Sequence, residues 1–200
     1  MGNLYYQYRD GFPDNLNKVF IETETKNQIT YADLEKHSAA YSVGFEKLGL
    51  NRGDRVTLQV NKSVEVIFIY LACLRSGLIF HPLNTAYKDS ELRFFLNDAE
   101  PAVFICESTT FNNISDLNLQ KKPANLFTLD SIQKLKIYED HEILDCPDDE
   151  VAALLYSSGT TGNPKGIMLT HRNIGSNSKT LSECWNFHEN DCLLHALPIY

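Results

Sequence analysis

Short apolar strands alternate with helical segments along the first half of the chain, and this alternation is the feature that most limits the folds open to it. The strands carry few polar side chains, as expected for strands that are buried on both faces of a sheet. Segments of helical pattern separate them, which is typical of crossover connections between parallel strands. The sequence therefore predicts an α/β fold in which a parallel sheet is covered by layers of helices. The predicted strands are residues 55–60, 78–82 and 102–106, and the predicted helices between them are 64–74 and 90–98.

Local signals mark the ends of two helices independently of the apolar pattern. Residues 30–33 (Thr-Tyr-Ala-Asp) resemble a capping box and predict that a helix begins there, and Gly49 marks its end. Ser63 is expected to cap the helix at 64–74, and Gly77 is expected to end it.

The pattern weakens in the middle of the chain. Two short strands are predicted there among polar residues, at 125–129 and near Lys136. We interpret residues 107–149 as a variable surface segment that connects a first α/β half, 1–106, to a final segment, 150–200. All three parts are expected to belong to one domain, since 200 residues lie within the usual range for a domain.

Charge and cysteine content exclude several classes of function. The chain has 18 basic and 26 acidic residues and a net charge of −8, whereas a nucleic-acid partner requires a positive surface that neutralises phosphates. Five cysteines without a C-x-x-C pair predict reduced thiols rather than a metal site, with Cys73 and Cys106 as small core residues.

His171 directly follows Thr170, which is expected to cap a helix, and His171 is therefore expected at the surface.

The N-terminus and the apolar runs bear on location. The first residues lack the apolar stretch of a signal peptide, and the longest apolar run, 64–74, is too short to span a bilayer. The sequence therefore predicts a soluble, cytoplasmic protein with no membrane span and no nucleic-acid partner. It leaves the oligomeric state open.

A loop rich in glycine and hydroxyl side chains follows a buried strand predicted at 151–156. Glycine tolerates positive φ and lets backbone N–H groups approach phosphate oxygens, hydroxyls donate hydrogen bonds, and Lys165 adds a positive charge. Each hydrogen bond to a charged oxygen contributes roughly 1.5–3 kcal/mol, so several together could hold a nucleotide. Thr170 is expected to cap a helix that continues to about Leu181. The predicted phosphate-binding residues are Ser157, Ser158, Gly159, Thr160, Thr161, Gly162, Asn163, Pro164, Lys165 and Gly166.

Other interpretations of this loop are less well supported. A surface hairpin turn would also contain Gly, Ser and Asn-Pro, but it does not require a motif specified at so many positions. A Walker A loop requires G-x-x-x-x-G-K-[ST], and here Pro164 stands at the position of the second glycine. The nucleophile elbow G-x-S-x-G and the dinucleotide motif G-x-G-x-x-G are both missing from the sequence.

The loop and its Pro-Lys-Gly ending resemble the adenylate-forming (AMP-binding) family of acyl-CoA synthetases, luciferases and peptide-synthetase adenylation domains. Four further stretches resemble landmarks of that family and occur in the family's order, at 29–34, 53–56, 82–87 and 98–101. The stretches 82–87, 173–181 and 195–200 are most similar to the malonyl-CoA and methylmalonyl-CoA synthetases. Ser157 replaces the threonine usual in that branch and keeps the hydroxyl.

This resemblance implies that the chain is the N-terminal portion of the family's AMP-binding domain, and that its parent protein is an acid–thiol ligase. Such a ligase uses ATP with Mg2+ to convert a carboxylic acid, here malonate or methylmalonate, into an acyl-adenylate and then into its coenzyme A thioester. Lys165 and the loop hydroxyls would hold the β- and γ-phosphates. The family's catalytic lysine, its acidic magnesium partner and its adenine contacts follow later in the family sequence. No catalytic residue or metal ligand is therefore assigned within the chain, and the chain alone is expected to be inactive.

Two residues near the end, His195 and Tyr200, are candidates for the substrate pocket. His195 stands in an apolar run and is more readily interpreted as a buried structural histidine, and Tyr200 fits core packing equally well. Two other functions stay open. One is a different adenylate-forming ligase that acts on a fatty, aromatic or amino acid, and the other is a truncated, non-catalytic protein that binds ATP or a partner.

Overall fold

A six-stranded mixed sheet forms the centre of the computed structural model, which describes residues 2–157 and 164–199. The strand order is β6-β5-β3-β4-β7-β8, and a separate antiparallel pair is formed by β1 and β2. The strands are β1 (Val19–Glu22), β2 (Gln28–Thr30), β3 (Arg55–Gln59), β4 (Ile79–Pro82), β5 (Val103–Cys106), β6 (Asn125–Thr128), β7 (Val151–Ser157) and β8 (Lys165–Thr170). The helices are α1 (Leu4–Asp10), α2 (Tyr31–Lys47), α3 (Val64–Ser76), α4 (Asp89–Ala99), α5 (Ser108–Asn113), α6 (Leu129–Ile132) and α7 (His171–Cys184), with 3-10 turns at Ile114–Leu117 and Gln133–Leu135.

The predicted α/β fold is confirmed, with one departure in strand direction. The strands from β6 to β7 pair in parallel, whereas β8 pairs with β7 antiparallel. A parallel connection needs a crossover of a dozen or more residues, and the interval between Ser157 and Lys165 is too short for one. The two strands therefore form a hairpin, and β8 occupies an edge of the sheet.

Helices cover both faces of the sheet, and each face has its own hydrophobic core. One core joins α1, α2 and α3 to alternate residues of the sheet such as Val56, Leu58 and Ile105. The other joins α4 to the intervening residues, among them Phe104 and Cys106. This division follows from the connections, because α3 links β3 to β4 on one side while α4 returns from β4 to β5 beyond β3.

Most of the predicted helix ends are confirmed. Thr30 and Asp33 form the reciprocal bonds of a capping box, and Gly77 ends α3 with a left-handed φ of 64°. Ser63 is the N-cap residue of α3, but its hydroxyl makes no capping hydrogen bond among the described residues. Thr170 caps α7 together with Asn173, and α7 extends to Cys184.

The segment between 107 and 149 contributes more to the fold than a surface connection would. The strand predicted near 125 is confirmed as β6, which pairs in register with β5, Val103 opposite Asn125. The strand predicted near Lys136 is wrong, because a 3-10 turn precedes that residue and the chain then runs irregularly across α2 and α3. The division of the chain at 106 and 149 stays a prediction.

We call residues 136–146 the strap, because side chains and backbone bind it along its length. Lys136 Nζ lies 2.6 Å from Glu65 Oε1, and the Leu144 N–H donates to the Arg75 carbonyl at 2.8 Å. The amide of Asn3, the N-cap residue of α1, donates to the carbonyls of Leu74 and Leu144 at 2.7 and 2.8 Å. The strap and α1 therefore close over the same end of α3.

Two expectations about buried side chains had opposite outcomes. Cys73 and Cys106 are core residues as predicted, and burial raises the pKa of the Cys106 thiol to about 12. The surface position expected for His171 is wrong, since the side chain is buried. Its Nδ1 accepts from the Leu4 N–H at 3.1 Å, which leaves the proton on Nε2, 3.5 Å from the Cys146 sulfur. His171 is the first residue of α7, and α7 packs against α1 at this point.

Within residues 2–157 and 164–199, none of the helices has the length and apolar character needed to cross a membrane.

Candidate functional site

The predicted phosphate-binding loop joins the two strands of the β7–β8 hairpin. The ladder continues to the last described residues on both sides, where Tyr156 pairs with Gly166 and Ser157 with Lys165. Ser157 and Pro164 are half-buried, and Lys165 and Gly166 are exposed. Ser158, Gly159, Thr160, Thr161, Gly162 and Asn163 lie outside the described residues, so their predicted role stays a prediction.

The hairpin changes two details of the sequence interpretation. A hairpin and a phosphate-binding loop were treated as alternatives, yet the motif stands between two antiparallel strands. Gly166 does not use the freedom of glycine to adopt positive φ, since the described glycines with positive φ are Gly49, Gly53 and Gly77. Gly166 is an ordinary strand residue, and a methyl group placed on it would lie 3.6 Å from the Tyr156 ring. Its small size leaves the tyrosine ring uncovered by a side chain from β8.

Each end of the hairpin is connected to a regular element. On one side, β7 pairs with the parallel strand β4, Ala153 opposite Phe80. On the other, β8 leads directly into α7 through the Thr170 capping box. A loop whose two ends are fixed by strands and a capped helix loses less conformational freedom when a ligand orders it.

A group of residues that the sequence analysis did not single out lies beside the entry to the loop. The Tyr156 hydroxyl donates to the Asp98 carboxylate at 2.5 Å, and the rings of Phe95 and His81 lie 4.6 and 5.4 Å from the Tyr156 ring. Burial, and then the hydrogen bond to the carboxylate, raise the pKa of Tyr156 above its ordinary value. Tyrosine at the end of an apolar strand is the sequence signal for this group, because a half-buried hydroxyl needs a partner.

His81 is fully buried between the sheet and α4. Its Nδ1 lies 2.8 Å from the hydroxyl of Thr57, the residue opposite it on β3, and its Nε2 has no hydrogen-bond partner among the described residues. Burial lowers the pKa of His81 to about 4, so the imidazole is neutral at neutral pH.

The two candidates for the substrate pocket are placed differently. Tyr200 lies outside the described residues. The interpretation of His195 as a buried histidine is wrong, since the side chain is exposed and its carbonyl accepts from Lys62 Nζ at 2.8 Å. The apolar run around it gave the wrong impression of burial, because Leu193 and Leu194 are 69% and 90% exposed and no described element covers them.

A cavity of about 240 Å³ lies where the end of the chain crosses the carboxyl ends of β3 and β4. Its walls combine the residues that follow these strands with neighbours of His195 in the sequence. The lining residues are Val60, Asn61, Lys62, Thr85, Ala196, Pro198 and Ile199.

The described residues do not by themselves fit a resident metal ion. Among residues 2–157 and 164–199, no three His, Cys, Asp or Glu side chains converge in a way that could hold one. A magnesium ion needs oxygen ligands that include carboxylates or substrate phosphates.

The mainly parallel sheet with helices on both faces defines the class of the fold as a doubly wound α/β protein. A sequence model of the AMP-binding enzyme family matches residues 10–200. The chain belongs to the AMP-binding enzyme family.

Individual relatives agree with this assignment. The crystal structure of apo MatB from Rhodopseudomonas palustris superimposes with a TM-score of 0.90 at 37% identity and covers 100% of the chain, and ATP-bound MatB gives a TM-score of 0.88. A long-chain-fatty-acid–CoA ligase, FadD13 of Mycobacterium tuberculosis, is 28% identical over 92% of the chain. A 4-coumarate–CoA ligase of Pinus taeda is 28% identical over 90% of it. The chain spans 40% of the length of MatB, 38% of FadD13 and 36% of the pine ligase.

Proposed function

We propose that the protein containing this chain activates a small carboxylic acid with ATP and transfers the acyl group to coenzyme A. The observation that carries the proposal is the family's loop, Ser157 to Gly166, at the end of a hairpin whose strands are paired up to Ser157 and Lys165. ATP as a substrate is supported further by the ATP-bound structure of MatB, to which the chain is similar over 98% of its length.

The reaction has two steps that balance without any redox partner. A carboxylate oxygen attacks the α-phosphorus of ATP, the bond to the bridging oxygen breaks, and pyrophosphate leaves. The thiol of coenzyme A gives its proton to solvent, the thiolate attacks the acyl carbon, and AMP leaves with the electron pair of the broken C–O bond. Catalysis of the first step depends on positioning and on stabilising charge that develops on the departing group.

The role of this chain is to hold the phosphates. The backbone N–H groups and hydroxyls of the loop would donate to β- and γ-phosphate oxygens, and Lys165 would offset the negative charge of the departing pyrophosphate. Lys165 is exposed at the first position of β8, where a ligand can reach it. Magnesium would enter with ATP, and the acyl pocket would be completed by residues outside the chain.

Malonate or methylmalonate is the proposed substrate class. The chain is 37% identical to MatB but 28% identical to the fatty-acyl and coumaroyl ligases, and the stretches at 82–87 and 195–200 resemble the malonyl-CoA branch. We expect the purified full-length protein that contains this chain to catalyse ATP–pyrophosphate exchange that depends on malonate and not on palmitate or 4-coumarate. Exchange that depends on palmitate or 4-coumarate, and not on malonate, would show that the protein is a ligase for a fatty or aromatic acid instead.

The intact mass of the protein isolated from its own cell distinguishes the ligase from the alternative, a non-catalytic ATP-binding protein. A species heavier than 22.8 kDa that shows exchange supports the ligase. A species of 22.8 kDa that binds ATP but exchanges no pyrophosphate with any acid supports the alternative.

Replacing Lys165 with alanine is expected to slow pyrophosphate exchange about 5- to 150-fold, because one charged contact to the phosphates is lost. This corresponds to an activation free energy that is higher by roughly 1–3 kcal/mol. The matched control is Lys121→Ala, which removes a similarly exposed lysine whose partner is Glu100 at 3.1 Å. The control should keep the exchange rate of the wild type. An unchanged rate in Lys165→Ala would show that this lysine does not contact the phosphates.

A further inference from the structure

Tyr156 connects the entry strand of the loop to an element of another part of the fold. It is the residue before Ser157 on β7, and its hydroxyl donates to Asp98, one residue before the end of α4. In the hairpin ladder Tyr156 also pairs with Gly166, the residue that follows Lys165. Tyr156 is thus next to both ends of the loop: it precedes Ser157 in the chain and lies opposite Gly166 in the ladder.

The end of α4 that receives this bond is itself fixed to the sheet. The guanidinium of Arg55 on β3 donates to the carbonyls of Ala99 and Glu100 at 2.7 and 2.8 Å. These carbonyls belong to the helix C-terminus, which otherwise leaves them unpaired. Asp98 therefore belongs to a segment that cannot shift independently of β3.

Aromatic packing holds the Tyr156 ring at a defined depth. The ring lies between Phe95 and His81, and Phe94 makes an edge contact at 6.2 Å. Thr57 fixes the orientation of the His81 ring through the bond to Nδ1. The ring and the hydroxyl of Tyr156 are therefore constrained separately, one by packing and the other by the carboxylate.

We propose that Tyr156 and Asp98 are positioning residues for the phosphate loop: their hydrogen bond sets where β7 ends and hence where Ser157 and Lys165 meet the phosphates of ATP. This inference rests on the proposed function of the loop. Neither side chain is proposed to contact the reacting atoms. Small displacements of groups that bind a substrate are costly, so loss of the bond should be measurable at the nucleotide site.

The test measures pyrophosphate exchange by the purified full-length protein with ATP and the acid varied separately. In Tyr156→Phe, which keeps the ring and removes the hydroxyl, KM for ATP should rise about 3- to 30-fold while KM for the acid stays unchanged. Asp98→Ala should give the same change, and the double variant should be no worse than either single variant. Asp98→Asn should restore much of the affinity, because the amide oxygen can still accept from the tyrosine hydroxyl.

The matched control is Tyr138→Phe, which removes the hydroxyl of a strap residue, 3.3 Å from Nδ1 of His37 on α2. It should leave both KM values unchanged. A fall in melting temperature of Tyr156→Phe without a rise in KM for ATP would show that the bond is only structural and would overturn the inference. Additive effects of Tyr156→Phe and Asp98→Ala would overturn it as well.

Failure of the proposed function gives a different result. In that case the wild type shows no acid-dependent exchange, and the inference falls with the function. Normal exchange by the wild type, a slow Lys165→Ala and an unchanged Tyr156→Phe would reject the positioning role alone.

Discussion

Replacing Arg75 with methionine is expected to destabilise the fold by about 3 kcal/mol, because the hydrogen bonds of a buried guanidinium are lost and the half-buried Glu35 carboxylate keeps only Arg9, 3.6 Å away, as a charged partner. Arg75 is buried on α3, and its Nη1 donates to the Tyr5 hydroxyl at 2.7 Å and to Glu35 at 3.3 Å. Its Nη2 donates to the His141 carbonyl at 2.9 Å. One guanidinium thus connects α1, α2, α3 and the strap. Urea unfolding monitored by circular dichroism would measure the loss.

A second substitution distinguishes loss of charge pairing from loss of packing. Arg75→Met combined with Glu35→Gln should recover part of the stability, since the half-buried charge that loses Arg75 is then removed as well. The control is Lys47→Met, which breaks an exposed pair with Glu139 at 3.0 Å and should cost less than about 1 kcal/mol. If Arg75→Met and Lys47→Met shift the urea midpoint equally, the buried network contributes no more than a surface ion pair.

Acid is expected to destabilise the protein, with His81 contributing about 3 kcal/mol between pH 7 and pH 4. The pKa of His81 is lowered from 6.5 to about 4, first by burial and then by the positive charge of Arg55, while Asp98 acts in the opposite direction. Between pH 6.5 and pH 4, His81 is therefore protonated in the unfolded state but neutral in the folded state. Stability falls as the pH decreases through this window and stops falling once the folded histidine is protonated near pH 4.

The measurement is the free energy of unfolding as a function of pH, in the wild type and in His81→Asn. Asparagine can keep a hydrogen bond to Thr57 but does not titrate, so the variant should show a shallower dependence on pH between 6.5 and 4. Burial also lowers the pKa of His37, His141 and His171, so part of the slope should persist in His81→Asn. Identical slopes in His81→Asn and the wild type would contradict the buried neutral state of His81.

The parts of the fold that the sequence predicted are those set by neighbouring residues. The capping box at Thr30 and the left-handed Gly77 depend on a few adjacent positions, and both are confirmed. The apolar strands and crossover helices also have local patterns. The β1–β2 pair was not predicted, because its strands are only four and three residues long and mostly exposed.

The features that were predicted wrongly depend on residues far apart in the sequence. His171 is buried by Leu4 and Cys146, and nothing adjacent to His171 in the sequence indicates either contact. His195 shows the reverse error, since an apolar run indicates burial only if another element covers it. The antiparallel direction of β8 was open to prediction from the shortness of the loop, a constraint that outweighs strand composition.

The candidate site likewise has one part that the sequence predicts and one part that only the fold shows. The loop is a contiguous motif and was identified from the sequence together with the family. Its support was not, because Tyr156 and Asp98 are separated by 58 positions and only the fold brings them together. The neutral state of His81 likewise depends on its depth beneath α4 rather than on its neighbours in the sequence.

The attachment of α1 has a consequence for the order in which the chain folds. Asn3 and Leu4 are synthesised well before their partners Leu144 and His171, which follow them by 141 and 167 positions. Until then the apolar side chains of α1 have no complete surface on which to pack. Contacts between such distant positions form late, because closing a long loop costs entropy before any contact repays it. Helix α1 is therefore expected to dock fully only after the start of α7 has been made, and the nascent protein would leave its apolar side chains partly exposed until then.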